Sequence, residues 1–220
     1  MSFLPRWSLV CLVAGMAWLA SGCAVSQTAC DPRSATSAQA SSDCRYSNMP
    51  NPDMKPSQSS WKIWSRFLTG TKQGTVPVDP IPVRGLSKKD LAALDPAANH
   101  IVRLGHSSHL LKLRGKYWLI DPVFSERASP VQWLGPKRFH PTPLPLSELP
   151  PIEGLILSHD HYDHLDTATI EYLLGKVQRY FVPLGVGKRL QDMGVAPDRI
   201  DEFDWWQKRR FGEVEITAAP

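Results

Sequence analysis

The sequence predicts an α/β layered fold for residues 99–220, and three observations carry that expectation. "HIVRLG" and "HLLKLRG" alternate apolar and polar residues as half-buried strands do. Beyond them, short apolar runs alternate with stretches that carry a helical apolar stripe, the order expected of a sheet layered with helices. Finally, three of the chain's seven histidines fall in "LSHDHYDHLD". That segment directly follows the apolar run "GLIL", and α/β folds place their sites at the carboxyl ends of strands. The 220 residues, 42% hydrophobic and 21% charged, leave room for one domain and a tail. The net charge of +4 is mild and its basic residues are scattered, so the sequence offers no electrostatic footprint for nucleic acid.

Residues 1–22 have the form of an address. Arg6 precedes the apolar stretch "SLVCLVAGMAWLA", which is too short for a comfortable membrane span, and small residues follow in "LASGC". Leu19-Ala20-Ser21-Gly22-Cys23 resembles the lipobox of bacterial lipoproteins. The resemblance implies lipidation at Cys23 and a lipid anchor in the cell envelope. Ala24, standing where an aspartate would favour the inner membrane, points to the outer membrane facing the periplasm. A plain signal peptide and an uncleaved anchor are the other readings. Cys30 and Cys44 are then left either as a disulfide or as two free thiols, and neither has the spacing of a zinc site.

Residues 23–60 are rich in Ser, Ala, Pro and Asn and cannot bury enough apolar surface to offset their ordering entropy, so they read as a flexible tether. Residues 61–98 read as a helix and a proline-rich connector. In "SSWKIWSRFLTG", Trp61, Trp64, Phe67 and Leu68 share one helical stripe, which fits packing on the domain or contact with a membrane.

Within 99–220, "HIVRLG", "HLLKLRG" and "YWLID" read as strands, the last two joined at Arg114-Gly115-Lys116 into a hairpin. Residues 122–151 carry many prolines and form a long ordered loop. Phe124, Trp133 and Phe139 within it favour a functional role. "GLILS" reads as an interior strand buried on both faces. A helix capped by Asp166 follows in "TATIEYLLGK"; then come a strand "RYFVPL", a helix "GVGKRLQDMG", and strands "RIDEFDWW" and "FGEVEITAAP".

His159, His161, Asp163 and His164 fit the pattern H-x-H-x-D-H. Imidazole and carboxylate are the ligand types of zinc and neighbouring divalent ions. Two histidines two apart after a strand can converge on one ion while the Asp-His pair faces a second, and two ions about 3.5–4 Å apart can hold a hydroxide between them. A solvated polar loop is the bland alternative, and it leaves unexplained why four such positions directly follow a buried strand.

H-x-H-x-D-H after an apolar strand resembles the metallo-β-lactamase superfamily, whose fold is an αβ/βα sandwich. "LGHSSHLL", "DPVFSERASP", "GPKRFHP", "ELPPIEGLILSHDHYDHLD", "FVPLG" and "DWW" are together similar to the N-acylphosphatidylethanolamine-hydrolysing phospholipase D subfamily. That resemblance spans about residues 100–206. It implies that residues 99–220 form mainly the N-terminal half of the sandwich. It implies a hydrolase with two zinc ions, His159 and His161 on the first metal and Asp163 and His164 on the second. Asp163 would also orient the attacking water.

Asp121, ending the "YWLID" strand, resembles an acid that fixes the metal loop from behind, with a plain turn cap as the alternative. His106 in "GHSS" matches a family histidine near the site, with a satisfied structural histidine as its alternative. His100, His109 and His140 read as structural. Asp160 stands where the subfamily usually has asparagine. By the same resemblance the substrate is a phospholipid-like phosphodiester, or another small organic molecule. Phe124 and Trp133 would line an apolar entrance, and Lys137 and Arg138 would meet phosphate or simply be solvated.

The superfamily also uses a third histidine for each metal and a bridging aspartate, and this chain has no histidine after His164. The expectation is therefore a C-terminally shortened form, with those ligands beyond residue 220 and the activity of the shortened chain open. Two rival functions remain. One is hydrolysis of a lactone, thioester or β-lactam by the same fold, since ligands do not choose the substrate. The other is a non-catalytic envelope lipoprotein with a vestigial metal site.

Overall fold

Strand alternation organises the region that the computed structural model describes, which comprises residues 76–219 together with Ser59, Trp61, Lys62, Ser65, Arg66 and Gly74. The signal segment, Cys23, Cys30, Cys44, nearly all of the 23–60 tether, and Trp64, Phe67 and Leu68 lie outside the described residues. Among the described residues no helix is long and apolar enough to cross a membrane.

A six-stranded sheet runs in the order β1-β2-β3-β4-β5-β6. Strands β1 (His100–Gly105), β2 (Ser108–Leu113) and β3 (Lys116–Ile120) form an antiparallel meander. The β2–β3 turn uses Arg114 (φ 51°) and Gly115 (φ 75°), the two successive positive φ values that match the twist of a two-residue hairpin. Strands β4 (Ile152–Ile156), β5 (Val177–Pro183) and β6 (Ile200–Phe203) then add in parallel. Parallel neighbours need crossovers. The first is the 122–151 loop, whose regular structure is one 3-10 turn (Leu146–Glu148) and an isolated bridge between Arg127 and Lys137.

Among residues 76–219, three helices flank the sheet. The first, α1 (Lys88–Ala92), begins with a capping box in which Ser87 and Asp90 each bond the other's backbone N–H. The β4–β5 crossover carries α2 (Thr167–Leu173), and the β5–β6 crossover carries α3 (Gly187–Asp192). Their buried faces, with Leu91, Ile170, Leu173 and Leu190 between 0% and 2% exposed, close over Leu104, Leu110, Leu119, Leu155 and Tyr180 of the sheet. Each such leucine or isoleucine removed from water stabilises the fold by roughly 1.5–3 kcal/mol. Packing also begins earlier than residue 99. Tyr117 Oη donates to the Leu91 carbonyl at 2.7 Å and Lys112 Nζ to that of Leu94 at 2.8 Å. A helix of five residues is too short to leave a periodic signature, so the sequence pattern began one element late.

The other face of the sheet carries Trp118, Phe181 and Phe203 under a separate hairpin, β7 (Lys208–Phe211) with β8 (Val214–Thr217). Gly154 is indispensable here. A Cβ at that position would stand 2.2 Å from Trp118 Cζ3 and 2.9 Å from Phe181 Cε2, so glycine alone lets the stacked rings lie across β4.

Three elements differ from the sequence reading. The strand expected over "RIDEFDWW" stops at Phe203, because Trp206 turns into positive φ (66°) and Gln207 Oε1 accepts from the Asp204 N–H. The single strand expected over "FGEVEITAAP" is the second arm of a hairpin. Its first arm, "KRRF", went unrecognised because three consecutive exposed cations hide any alternation. Asp166 does occupy the N-cap position of α2, but its carboxylate makes no cap to that helix. It is spent on another task, described below.

Candidate metal centre

The sheet topology brings distant residues together. Strands β3 and β4 are parallel neighbours with Ile120 opposite Ile156, so their carboxyl ends lie side by side. Asp121 follows the first and Leu157-Ser158-His159 the second. The Asp121 N–H donates to the Ile156 carbonyl at 2.9 Å and the Leu157 N–H to that of Phe181 at 3.0 Å, extending the ladder to the brink of the histidine segment.

Asp121, 3% exposed and at φ 42°, organises that segment. One carboxylate oxygen accepts from the Ser158 N–H at 2.7 Å. The other accepts from Ser158 Oγ at 2.6 Å and faces His164 Nδ1 at 2.8 Å. These contacts decide the tautomers. A carboxylate can only accept, so His164 Nδ1 carries the proton it donates. Ser158 has one hydroxyl proton and gives it to Asp121, so its oxygen accepts from His159 Nδ1 at 3.0 Å. Both imidazoles are therefore held through Nδ1 and turn Nε2 outward, the orientation in which histidine binds a metal.

Two groups of donors converge. His159, His161 and Asp163 form one, and His106, Asp163 and His164 the other, each with its ligand atoms within 4.8 Å of one another. Asp163 belongs to both. With Zn–N bonds of about 2.0–2.1 Å, two donors on one ion stand at most about 4.2 Å apart, so side-chain adjustment alone would close either group on an ion. The donor chemistry, neutral imidazole with carboxylate, fits a divalent transition metal. Each group contains one of the expected pairs, His159/His161 and Asp163/His164; Asp163 is added to the first and His106 to the second, its Nε2 at 3.1 Å from Asp163 Oδ2. The hairpin between β1 and β2 delivers it, with Gly105 at φ 146° and His106 itself at φ 36°.

The electrostatics suit ligation. Burial lowers the His159 pKa below the ordinary histidine value, and nearby His164 and His161 push the same way, outweighing Asp121 and Asp163. The rings are close, with His159 and His164 centroids 3.9 Å apart. Burial alone would raise the Asp163 carboxyl. Its own backbone hydrogen bond and the charges of His164 and His106 outweigh that, and its pKa falls. An imidazole that gives up its proton easily, as at His159, beside a readily ionised carboxylate, as at Asp163, suits metal binding.

A second carboxylate fixes the surroundings. Asp166 accepts from the N–H groups of Phe124 and Ser125 at 3.0 and 2.9 Å, from Ser125 Oγ at 2.8 Å and from Thr169 Oγ1 at 2.6 Å. It thus pins the start of the 122–151 loop beside the histidines. Arg138 adds a bond to the Val123 carbonyl at 2.9 Å. It is part-buried, with its pKa lowered by that burial, and so is not simply solvated; Lys137 is exposed and pairs with Glu126 at 3.6 Å. Phe124 packs against the core, whereas Trp133 is 78% exposed. His100, His109 and His140 each turn a ring nitrogen to a nearby backbone carbonyl.

Two relationships escaped the sequence reading. Ser158 is an ordinary residue type, and its partner lies 37 positions away. Asp160, the departure from the subfamily pattern, forms an ion pair with Arg189 of α3 at 3.0 Å, so its extra charge is not left free beside the histidines.

Residues 117–220 match the model of the beta-lactamase superfamily domain. An uncharacterized protein of Mycobacterium tuberculosis is 39% identical over 160 residues, 72% of this chain and 41% of that protein. The N-acyl-phosphatidylethanolamine-hydrolyzing phospholipase D 1 of Caenorhabditis elegans is 37% identical over 160 residues, 68% of this chain and 44% of that enzyme. The chain thus spans about two fifths of the length of these relatives. Among solved structures, the diiron β-hydroxylase CmlA of Streptomyces venezuelae overlays 64% of this chain and 25% of its own, at 25% identity and a TM-score of 0.44.

Proposed function

We propose that this chain, which matches the beta-lactamase superfamily domain over residues 117–220 and is related to an N-acyl-phosphatidylethanolamine-hydrolyzing phospholipase D, serves a metal-dependent phosphodiesterase acting on phospholipid-like substrates. The observation that carries this reading is the double donor group around Asp163, in which the His159 and His164 rings are held through Nδ1 by Ser158 and Asp121. The reading takes zinc as the metal, held by His159, His161 and Asp163 on one side and by His106, Asp163 and His164 on the other. It also places lipid on Cys23, which would keep the domain beside its substrate at the membrane.

Bound metal would supply Lewis acidity and water of lowered pKa. The protein's own residues do the rest. Asp121 holds the His164 ring from behind and, through Ser158, the His159 ring, so neither has to reorganise as charge develops. Asp163 sits between two clefts and carries the carboxylate best placed to orient a water molecule. One cleft, of about 570 Å³, is bounded by Asp160, His161, Tyr162 and Arg189; the other, of about 370 Å³, lies under the 122–140 part of the loop.

A substrate panel tests the reading. The metal-loaded chain is expected to cleave a phosphodiester of the glycerophosphoethanolamine type, and to leave lactone, thioester and β-lactam substrates untouched. Turnover confined to the acyl substrates would replace it with the acyl-hydrolase alternative. Stoichiometric metal with no turnover on any substrate would leave a metal-binding lipoprotein.

A further inference from the structure

The smaller cleft has a charge pattern that cutting a phosphodiester does not require. Arg103 projects from β1, and Lys137, Arg138 and His140 come from the loop; all four border the same space, which opens at its inner end on Asp163. Glu126 is the other carboxylate on its wall, and Lys137 faces it at 3.6 Å. Arg103 has no ion-pair partner among the described residues. Arg138 is anchored by one guanidinium nitrogen to the Val123 carbonyl, while its Nε is buried with no hydrogen-bond partner. Gly105, at φ 146°, lets the backbone turn beside His140 and Arg138 on the wall of this space.

We propose that this cleft is an anion subsite that receives a second oxyanion of the substrate, a phosphate or carboxylate carried on the headgroup, while the ester to be cleaved lies at Asp163. The inference rests on the phosphodiesterase reading and narrows it to substrates with an additional negative charge. A headgroup whose only charge is the scissile diester would leave Arg103 and Arg138 without an anionic partner in this cleft. A headgroup bearing a further phosphate would pair with Arg103 and Arg138 and be oriented by them.

Two arms test it separately. In the first, inorganic phosphate is titrated into the metal-free full chain and followed by amide NMR. Saturable binding that shifts the Gly105 and Arg138 amides is expected, and the double variant Arg103→Ala/Lys137→Ala should weaken it about tenfold, the sum of two partly exposed charge-assisted contacts. Arg210→Ala, on the exposed β7 strand, serves as the control and should leave binding unchanged. Absence of binding, or equal weakening by Arg210→Ala, would overturn the subsite. In the second arm, two diesters that differ only by a terminal phosphate on the headgroup are compared in the metal-loaded chain. The wild-type kcat/KM ratio should favour the phosphorylated one, and the double variant should lower that ratio about tenfold. No preference in the wild type would overturn the proposal. Turnover of neither diester would sink the phosphodiesterase reading, and the phosphate titration would still decide the subsite.

Discussion

Two loops leave the carboxyl ends of neighbouring parallel strands, and each is held by a buried carboxylate that belongs to the other. Asp121 opens the 122–151 loop yet spends its oxygens on Ser158 and His164 of the histidine segment. Asp166 closes the histidine segment yet spends its oxygens on Phe124 and Ser125 of the long loop. The exchange means that neither loop can shift alone. The two latches differ in what they serve: Asp121 grips the imidazoles that would hold metal, and Asp166 grips the wall of the cleft beside them.

The sharpest way to separate the two is to remove the shared donor between them. Asp163→Ala deletes a ligand atom from both donor groups. A metal contributes several kcal/mol of transition-state stabilisation, and each 1.4 kcal/mol is tenfold, so turnover should fall about 10³-fold or more, measured as kcat/KM at saturating metal. Asp121→Asn should lower metal affinity about 10–100-fold in a competition titration, since it frees the His159 and His164 rings without deleting a donor. Asp166→Ala should show the opposite profile. It strands two backbone N–H groups and two hydroxyls, which costs about 3 kcal/mol of stability by denaturant unfolding, while metal affinity stays within a factor of about two. If Asp166→Ala weakened metal binding as much as Asp121→Asn, the division of labour would be wrong.

The smallest expected effect is a pH dependence confined to the Asp121 side. His159 has a folded pKa below its unfolded value of 6.5. Between the two values the unfolded chain binds the proton and the folded chain does not, so stability falls as pH drops below about 6.5 and is retained above it. Subtracting the denaturation curves of His159→Gln from those of the metal-free wild type should isolate this slope. The difference should grow as pH rises toward about 6.5 and then level off; a difference that stays flat or shrinks with rising pH would contradict the assigned burial of the ring.

How much of this was legible in the sequence follows from the range of each interaction. The H-x-H-x-D-H residues announce themselves because residue type and spacing are local, and the run "GLILS" marks them as sitting at a strand end. Asp121 was legible for the same reason, as an acid closing an apolar strand. Ser158 was not, because only the parallel register of Ile120 with Ile156 makes it a neighbour of Asp121. Nor was the Asp160–Arg189 pair, which joins a loop to a helix two elements later. Asp166 shows a local rule losing to a tertiary one. Its position before α2 satisfies every capping signal, yet four donors from elsewhere in the fold, or from the helix's own Thr169, claim its oxygens. The hairpin arm "KRRF" failed differently, since its pairing with β8 rests on backbone bonds that its exposed cations do not reveal.

The measurement that bears most directly on the central claim is phosphodiester turnover by the metal-loaded chain, after chelation, and after metal is restored. The account predicts turnover that disappears with chelator, returns with zinc, and stays absent in Asp163→Ala at any metal concentration. Turnover that survives chelation, or that Asp163→Ala retains at the wild-type rate, would contradict it.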